Sequence, residues 1–205
     1  MGSGVDLDHF QVTHTPDDKV VRFLFIGRIL KEKGVPELID ASIILKRKYS
    51  NLEILILGWI DSDKKDQLNA NDIKAWERKG LINYLGFHEN IMDYVSQADC
   101  IVLPSYYREG VPRSLLEAAA MGKPIITTDT IGCRETVDDG INGFICKPKD
   151  PNDLSKKMEL IINMGYKKRV EMGLKGRQKI EKEFDEQFVI DQYLSAIESI
   201  TSIKS

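Results

Sequence analysis

Short runs of apolar residues alternate with amphipathic stretches along most of this 205-residue chain. The runs are rich in Ile, Val and Leu, and several of them end at a glycine. Such runs are typical of strands buried on both faces, and their alternation with helical patterns indicates a parallel sheet. The predicted strands cover 20–26, 52–57, 82–85, 99–103, 124–128 and 143–146.

The stretches between these strands carry apolar residues at helical spacing, and the chain after Pro151 is helical throughout. The predicted fold class is therefore α/β, with a parallel, Rossmann-like sheet flanked by helices and right-handed crossovers. The predicted helices cover 36–49, 65–79, 91–98, 113–121, 151–164, 166–183 and 185–203, with a helical turn at 132–137.

Residues 1–18 differ from the rest of the chain because they are polar and contain two glycines, Pro16 and a pair of aspartates. This composition predicts a linker or tail rather than packed structure. The remaining residues, 19–205, are enough for one domain with a full core.

Overall composition excludes several classes of protein. A net charge of -3 and a pI of about 5.7 give no basic field for nucleic acid. We see neither a signal peptide nor an apolar run of the ~20 residues that span a bilayer. The three cysteines, Cys100, Cys133 and Cys146, are odd in number and widely spaced, which favours a reducing cytosol over a disulfide framework or a zinc site. The histidines show no metal-ligand spacing.

Two cations follow the first predicted strand, at the edge where parallel sheets bind their ligands. Gly27-Arg28 ends the strand, and Lys33-Gly34 precedes the next helix. An arginine fork and a lysine charge beside a helix amino terminus suit a diphosphate. The alternative is that both side chains are solvated surface residues. The segment lacks the glycine, lysine and serine or threonine spacing of a P-loop.

Two glutamates follow the predicted strand at 99–103. Glu109 lies in a loop with Gly110, and Glu117 lies inside the helix that begins after Pro112, with seven residues between them. Carboxylates can accept hydrogen bonds from sugar hydroxyls, and the helix amino terminus favours an anion, so the segment suits a sugar nucleotide. The alternative is that Glu117 is an ordinary helix residue and that Glu109 stabilises the helix start.

The segment 104–118 resembles the signature of the retaining glycosyltransferases of family four, which have the two-domain GT-B fold. In that signature, two glutamates separated by seven residues follow Pro-Ser and precede an alanine, as Glu109 and Glu117 do here. Further similar stretches are 4–10, which resembles the segment joining the two domains, and 25–28, 33–34, 122–126, 132–135 and 139–144. The resemblance covers nearly the whole chain and identifies it as a carboxyl-terminal donor-binding domain.

The resemblance implies a role for each matching residue. Arg28 and Lys33 hold the donor diphosphate and stabilise the leaving group, and Glu109 contacts hydroxyls of the transferred sugar. Glu117 accepts hydrogen bonds from the ribose. Gly27 is a further implied substrate contact, and Phe87 and Asn90 are implied contacts on the base side. The segment that contains Gly110, Val111, Pro112 and Leu115 offers backbone N–H groups to sugar and phosphate.

The same resemblance implies the reaction. The enzyme transfers a sugar from a nucleotide-diphosphate sugar, expected to be a UDP-sugar, to an acceptor hydroxyl with retention. The variants at 111–114 and 132–135 resemble the branch that builds bacterial capsule, O-antigen or lipid-linked oligosaccharides. We expect no metal and no cofactor, because Arg28 and Lys33 can neutralise the diphosphate.

The expected partners are the nucleotide sugar, a missing amino-terminal acceptor domain, and a lipid-linked or glycan acceptor. The last helix is the element that could pack back on the missing domain. We expect this chain alone to be inactive. The expected location is the cytoplasm, with a peripheral position at the inner membrane face left open for the full-length enzyme. Two alternatives remain: a non-catalytic sugar-nucleotide binding module, and a sugar-nucleotide epimerase of the same fold. A phosphorylase would need a pyridoxal-phosphate lysine, for which we see no motif.

The segment after the second strand and the basic helix at 166–183 each allow two interpretations. Many family members have Gly-x-Gly after the second strand, whereas here Gly58 precedes Trp59-Ile60. We favour the interpretation that Trp59 is a packing residue. The alternative is that its large side chain narrows the base or phosphate side of the substrate site. The helix at 166–183 carries seven cations interleaved with glutamates, which favours a solvated face over a membrane-surface patch.

Overall fold

A computed structural model describes residues 4–60, 68–108 and 110–202 of the chain. Its centre is a six-stranded, fully parallel sheet with the strand order β3-β2-β1-β4-β5-β6. The predicted α/β class and the Rossmann-like parallel sheet are confirmed. The strands are β1 Val21–Ile26, β2 Leu52–Leu57, β3 Asn83–Gly86, β4 Cys100–Leu103, β5 Ile125–Thr128 and β6 Gly143–Cys146.

Seven α-helices are described, and their bounds lie within a few residues of the predicted ones. Most of the helix predicted at 65–79 is present as α2, although its start falls on residues 65–67, outside the described part. The helices are α1 Val35–Lys46, α2 Ala70–Arg78, α3 Met92–Gln97, α4 Arg113–Ala120, α5 Pro151–Met164, α6 Tyr166–Glu183 and α7 Glu186–Ser202.

The helices cover the sheet in two layers. The crossover from β1 to β2 runs in one direction across the sheet and that from β4 to β5 in the other. Right-handed crossovers therefore place α1 and α4 on opposite faces. Helix α1 packs against α5, and α4 packs against α6.

The central strands β1 and β4 are almost completely buried between these layers, which explains their near-continuous apolar sequences. Cys100 is a buried core residue, as predicted.

The expectation that residues 1–18 lie outside packed structure is wrong for the described residues from Val5 onwards. Val5 and Phe10 are 1% and 8% exposed. The Arg177 guanidinium donates hydrogen bonds to the carbonyl oxygens of Phe10 and Ala120, at 2.7 and 2.9 Å. Thr15 accepts a hydrogen bond from the buried Lys123 amine at 2.8 Å. The segment is therefore part of this domain's surface layer, and its role as an interdomain linker stays a prediction.

The predicted solvated face of α6 is wrong for three of its cations, since the side chains of Arg169, Arg177 and Lys179 are only 8%, 14% and 12% exposed. Arg177 binds the amino-terminal segment, and Arg169 contacts the carboxylate of Asp99 at 3.0 Å. Burial raises the pKa of Asp99, while the backbone N–H of Arg22 and the Arg169 guanidinium act in the opposite direction. The pair joins α6 to the segment before β4 inside the core.

We predict that Arg169→Met destabilises the domain by about 3–5 kcal/mol, because Asp99 would remain buried without its cation. Equilibrium unfolding in urea measures this free energy. The matched control is Lys168→Met, one residue earlier and exposed, which should change stability by less than about 0.5 kcal/mol. Equal stability of the two variants would contradict a structural role for the buried pair.

Candidate functional site

The candidate site lies at the point where the strand order reverses. Strands β1 and β4 are neighbours at the centre of the sheet, and the chain leaves them in opposite directions. The loops after these two strands therefore diverge and open a crevice at their carboxyl ends, where doubly wound sheets bind ligands. Both segments selected from the sequence, 27–34 and 104–117, begin at these ends.

The two cations of the loop after β1, Arg28 and Lys33, differ in how deeply they are buried. Arg28 is half-buried, and Lys33 is only 8% exposed, within a 3-10 turn at Lys31–Lys33. The Lys33 amine lies 5.7 Å from the centroid of the Tyr107 ring. The alternative that both cations are solvated surface residues is thus wrong for Lys33. A largely desolvated cation at a strand end is suited to binding an anion.

The loops after β1 and β4 are joined through the carbonyl oxygen of Glu32. It accepts hydrogen bonds from the backbone N–H groups of Tyr106 and Tyr107, at 2.9 and 3.1 Å. Gly34 caps α1 with a φ of 78°, and a Cβ there would overlap the carbonyl of Pro104. Only glycine combines this left-handed conformation with such close backbone approach. The basic loop is consequently fixed against the loop that leads to α4.

The segment between β4 and α4 carries the most site residues predicted from the sequence. Glu109 lies outside the described residues. Gly110 is exposed, whereas Val111 and Pro112 are buried beneath the crevice. Leu115 is 0% exposed, and its N–H donates to the carbonyl oxygen of Pro112 at 3.1 Å. These contacts favour a core role for Leu115 rather than a ligand contact.

Glu117 is the fifth of the eight residues of α4 and keeps 15% of its side chain exposed. Burial raises the pKa of this carboxyl, and the nearby Arg113 guanidinium lowers it. The Arg113 guanidinium is one helical turn away, with its Nε 3.4 Å from a carboxylate oxygen of Glu117. Arg113 therefore favours the ionised carboxylate, which is the form that accepts hydrogen bonds on both oxygens.

A cavity of about 440 Å³ opens beside Glu117, and we call it the Glu117 cavity. It brings Glu117 together with Asn90, both predicted site residues. The Asn90 side chain accepts a hydrogen bond from the N–H of Met92 at 3.0 Å, which fixes the start of α3. The Glu117 cavity is lined by His9, Phe10, Glu89, Asn90, Ile91, Met92 and Glu117.

A second cavity of about 330 Å³ lies at the ends of β1, β2 and β3, and we call it the aromatic cavity. It contains the predicted residues Gly27 and Phe87 and also Trp59. The favoured interpretation of Trp59 as a packing residue is wrong, since 47% of it is exposed. The aromatic cavity is lined by Ile26, Gly27, Leu57, Gly58, Trp59, Phe87, His88, Glu89 and Ile91.

Several residues of the two cavities were not predicted as site residues. His9 and Phe10 reach Glu117 from the amino-terminal segment, which its polar composition had indicated to be a tail. Phe10 is the one aromatic residue among the first 18, and that aromatic side chain was the available signal. Arg113 belongs to the glutamate segment, but its contact with Glu117 follows only from the helix bounds.

Two kinds of feature are absent from the part of the chain that the structure describes. Across 4–60, 68–108 and 110–202, no group of three or more His, Cys, Asp or Glu side chains is arranged to hold a metal ion. Among the helices of that same part of the chain, none is both long and apolar enough to cross a bilayer.

The sheet order and the crevice define a Rossmann-like ligand-binding domain. The chain belongs to the family described as Glycosyl transferases group 1, whose model matches residues 7–179. A similar protein is the N,N'-diacetylbacillosaminyl-diphospho-undecaprenol alpha-1,3-N-acetylgalactosaminyltransferase of Campylobacter jejuni, 32% identical over 89% of this chain and 46% of that protein. Another is the capsular polysaccharide biosynthesis glycosyltransferase CapM of Staphylococcus aureus, 26% identical over 93% of this chain and 51% of its own length.

Solved structures share the fold. HepE of Anabaena, solved in complex with UDP, matches 96% of this chain and 56% of its own with a TM-score of 0.82 at 20% identity. The C-terminal domain of the group 1 protein LpcC of Francisella tularensis matches 89% of this chain and 99% of its own, with a TM-score of 0.76 at 23% identity. The predicted family and the GT-B relationship are confirmed. The chain spans about half the length of the curated relatives it matches.

We predict that Arg113→Met raises the pKa of Glu117 further, because burial would act without the adjacent guanidinium. A carbon-detected NMR titration of the glutamate carboxyl groups measures this pKa directly. The matched control is Arg134→Met, which removes a cation that contacts Asp129 rather than Glu117. An unchanged Glu117 pKa in Arg113→Met would show that the contact is absent in solution.

Proposed function

We propose that this chain is the donor-binding half of a retaining glycosyltransferase. The full-length enzyme transfers a sugar from a UDP-sugar to an acceptor hydroxyl in the synthesis of bacterial capsule, O-antigen or lipid-linked oligosaccharide. The observation that carries the proposal is the joining of the Lys33 loop to the segment before α4 at the sheet's switch point. That arrangement offers cations and a hydroxyl-binding carboxylate along one crevice.

The diphosphate is assigned to the loop after β1. Gly27 provides a backbone that a phosphate can approach closely, and Arg28 and Lys33 supply positive charge. The first turn of α1 adds N–H groups that have no partner within the helix. When the bond between the anomeric carbon and the diphosphate breaks, negative charge develops on the leaving group. Fixed cations stabilise that charge without reorganisation, which lowers the barrier.

The ribose is assigned to Glu117. Its carboxylate faces the Glu117 cavity, and two ribose hydroxyls can donate to its two oxygens. Glu109, on the loop before α4, is assigned to hydroxyls of the transferred sugar. The nucleotide base is then assigned to the part of the site that contains Phe87 and Asn90. UDP as the nucleotide is supported by HepE, the fold neighbour that was solved with UDP bound.

The acceptor is assigned to an amino-terminal domain that pairs with this one. Two observations support such a partner: the chain spans about half of its curated relatives, and α7 exposes a row of apolar residues. Contiguous exposed apolar surface is typical of an interface. Among the described side chains of α7, the large apolar residues that are exposed are Phe188, Ile190, Tyr193, Leu194 and Ile197.

We predict that UDP binds this domain equally well with and without a chelator, because side chains rather than a metal neutralise the diphosphate. Isothermal titration measures the affinity. Glu117→Ala should weaken binding by about 1.5–3 kcal/mol, the usual contribution of hydrogen bonds to a charged group. The matched control is Glu171→Ala, which removes an exposed carboxylate from α6 and should leave affinity unchanged. Complete dependence on magnesium or manganese would contradict the assignment of the diphosphate.

We predict that this chain alone binds the donor but transfers no sugar at a useful rate, since the acceptor contacts and the exclusion of water need the second domain. A radiolabelled-donor assay with lipid-linked acceptors, run beside the full-length enzyme, measures transfer. In the full-length enzyme, Glu109→Gln should reduce turnover far more than it weakens the binding of UDP. Transfer by this chain at the full-length rate would place the acceptor site within this domain.

A further inference from the structure

Trp59 and Phe87 form an exposed aromatic corner at the carboxyl ends of β2 and β3. They are 47% and 57% exposed, their ring centroids are 5.4 Å apart, and the ring planes are at 89°. Large aromatic side chains normally bury most of their surface, so two neighbouring exposed rings beside a cavity are unusual. Their faces are available to a planar ligand.

Backbone hydrogen bonds on both sides of Trp59 fix its position. The N–H of Ile29 donates to the carbonyl oxygen of Trp59 at 2.9 Å. The preceding residue, Gly58, donates its N–H to the carbonyl of Gly86 at 2.8 Å and accepts the Tyr84 hydroxyl at 2.9 Å. The loop that carries Trp59 is thereby tied to the segments after β1 and β3. A ring held in this way costs little entropy when a ligand binds.

The aromatic cavity has the size and the neighbours expected of a base site. Its volume of about 330 Å³ lies at the small end of ligand pockets, which suits one ring system rather than a whole sugar nucleotide. It shares the lining residues Glu89 and Ile91 with the Glu117 cavity, so the two cavities are direct neighbours. A base is bonded directly to its ribose. If the ribose binds Glu117, the base therefore lies in the neighbouring aromatic cavity.

We propose that Trp59 is a specificity-determining residue that forms the second wall of the nucleobase site, opposite Phe87. The inference rests on the proposed function, because it assumes that Glu117 binds the ribose. The base stacks on one ring of the corner and presents its edge to the other. Trp59 stands directly after Gly58, and its large ring at the cavity makes affinity depend on the base.

Tryptophan fluorescence tests this contact directly. The chain contains two tryptophans, and Trp76→Phe leaves Trp59 as the sole indole. UDP and UMP should quench its emission in that variant, because a stacked base contacts the ring. Ribose 5-phosphate, which is UMP without the base, should not. Emission that is unchanged at saturating UDP would overturn the inference.

Calorimetry tests the energetic consequence. Trp59→Ala should weaken UDP binding about tenfold, at the lower end of what one stacked base contributes, and should leave ribose 5-phosphate binding unchanged. Trp59→Phe retains an aromatic wall and should keep most of the affinity. The ratio of UDP to GDP affinity should also fall in Trp59→Ala. Circular dichroism confirms that each variant is folded, and Trp76→Phe is the matched control for loss of an indole elsewhere.

The outcomes separate the inference from the proposed function. If wild type binds UDP and Trp59→Ala binds it equally well with the same UDP to GDP ratio, Trp59 is not part of the base site, while the proposed function stands. If wild type binds no nucleoside diphosphate, the proposed function and the inference are both overturned. Equal losses for UMP and ribose 5-phosphate in Trp59→Ala would indicate a general distortion and also overturn the inference.

Discussion

The contact between the loops after β1 and β4 determines most of what this domain can bind. The carbonyl oxygen of Glu32 accepts hydrogen bonds from two successive N–H groups of the β4 loop, and Gly34 allows the backbone to approach Pro104. Without this junction, the loop that carries Lys33 would diverge from the loop that leads to α4 and its Glu117. The parallel sheet opens the crevice, and the junction fixes its two sides relative to one another.

The amino-terminal segment packs on this domain and contributes to the candidate site. Residues from Val5 to Thr15 pack on this domain, where Arg177 and Lys123 bind them through several hydrogen bonds. The same segment places His9 and Phe10 in the Glu117 cavity. If the segment leads to an acceptor domain, as we propose, a displacement at that junction would reach Glu117, the carboxylate that we propose binds the ribose. The proposed nucleotide site and the proposed domain connection are therefore parts of one surface.

Sequence alone predicted the sheet and its strand ends, because apolar runs and helical periodicity are local signals. Asn90 and Glu117 were predicted as substrate contacts only through the family resemblance, and their meeting at one cavity was not predicted. Sequence alone did not predict the packing of residues 5–15, since Val5, Leu7, Phe10 and Val12 are spaced among polar residues with neither a helical nor a strand period. The exposure of Trp59 was also missed, because tryptophan is usually buried and only the tertiary position of its loop leaves it open. Burial of Arg169 likewise depends on its distant partner Asp99.

A crystal structure of this domain with UDP tests the central claim most directly, namely that one nucleotide occupies the crevice between the loops after β1 and β4. The account predicts the diphosphate on Arg28 and Lys33, the ribose hydroxyls on Glu117, and the base in the corner between Trp59 and Phe87. A nucleotide bound away from the switch point, or one whose ribose does not contact Glu117, would contradict it.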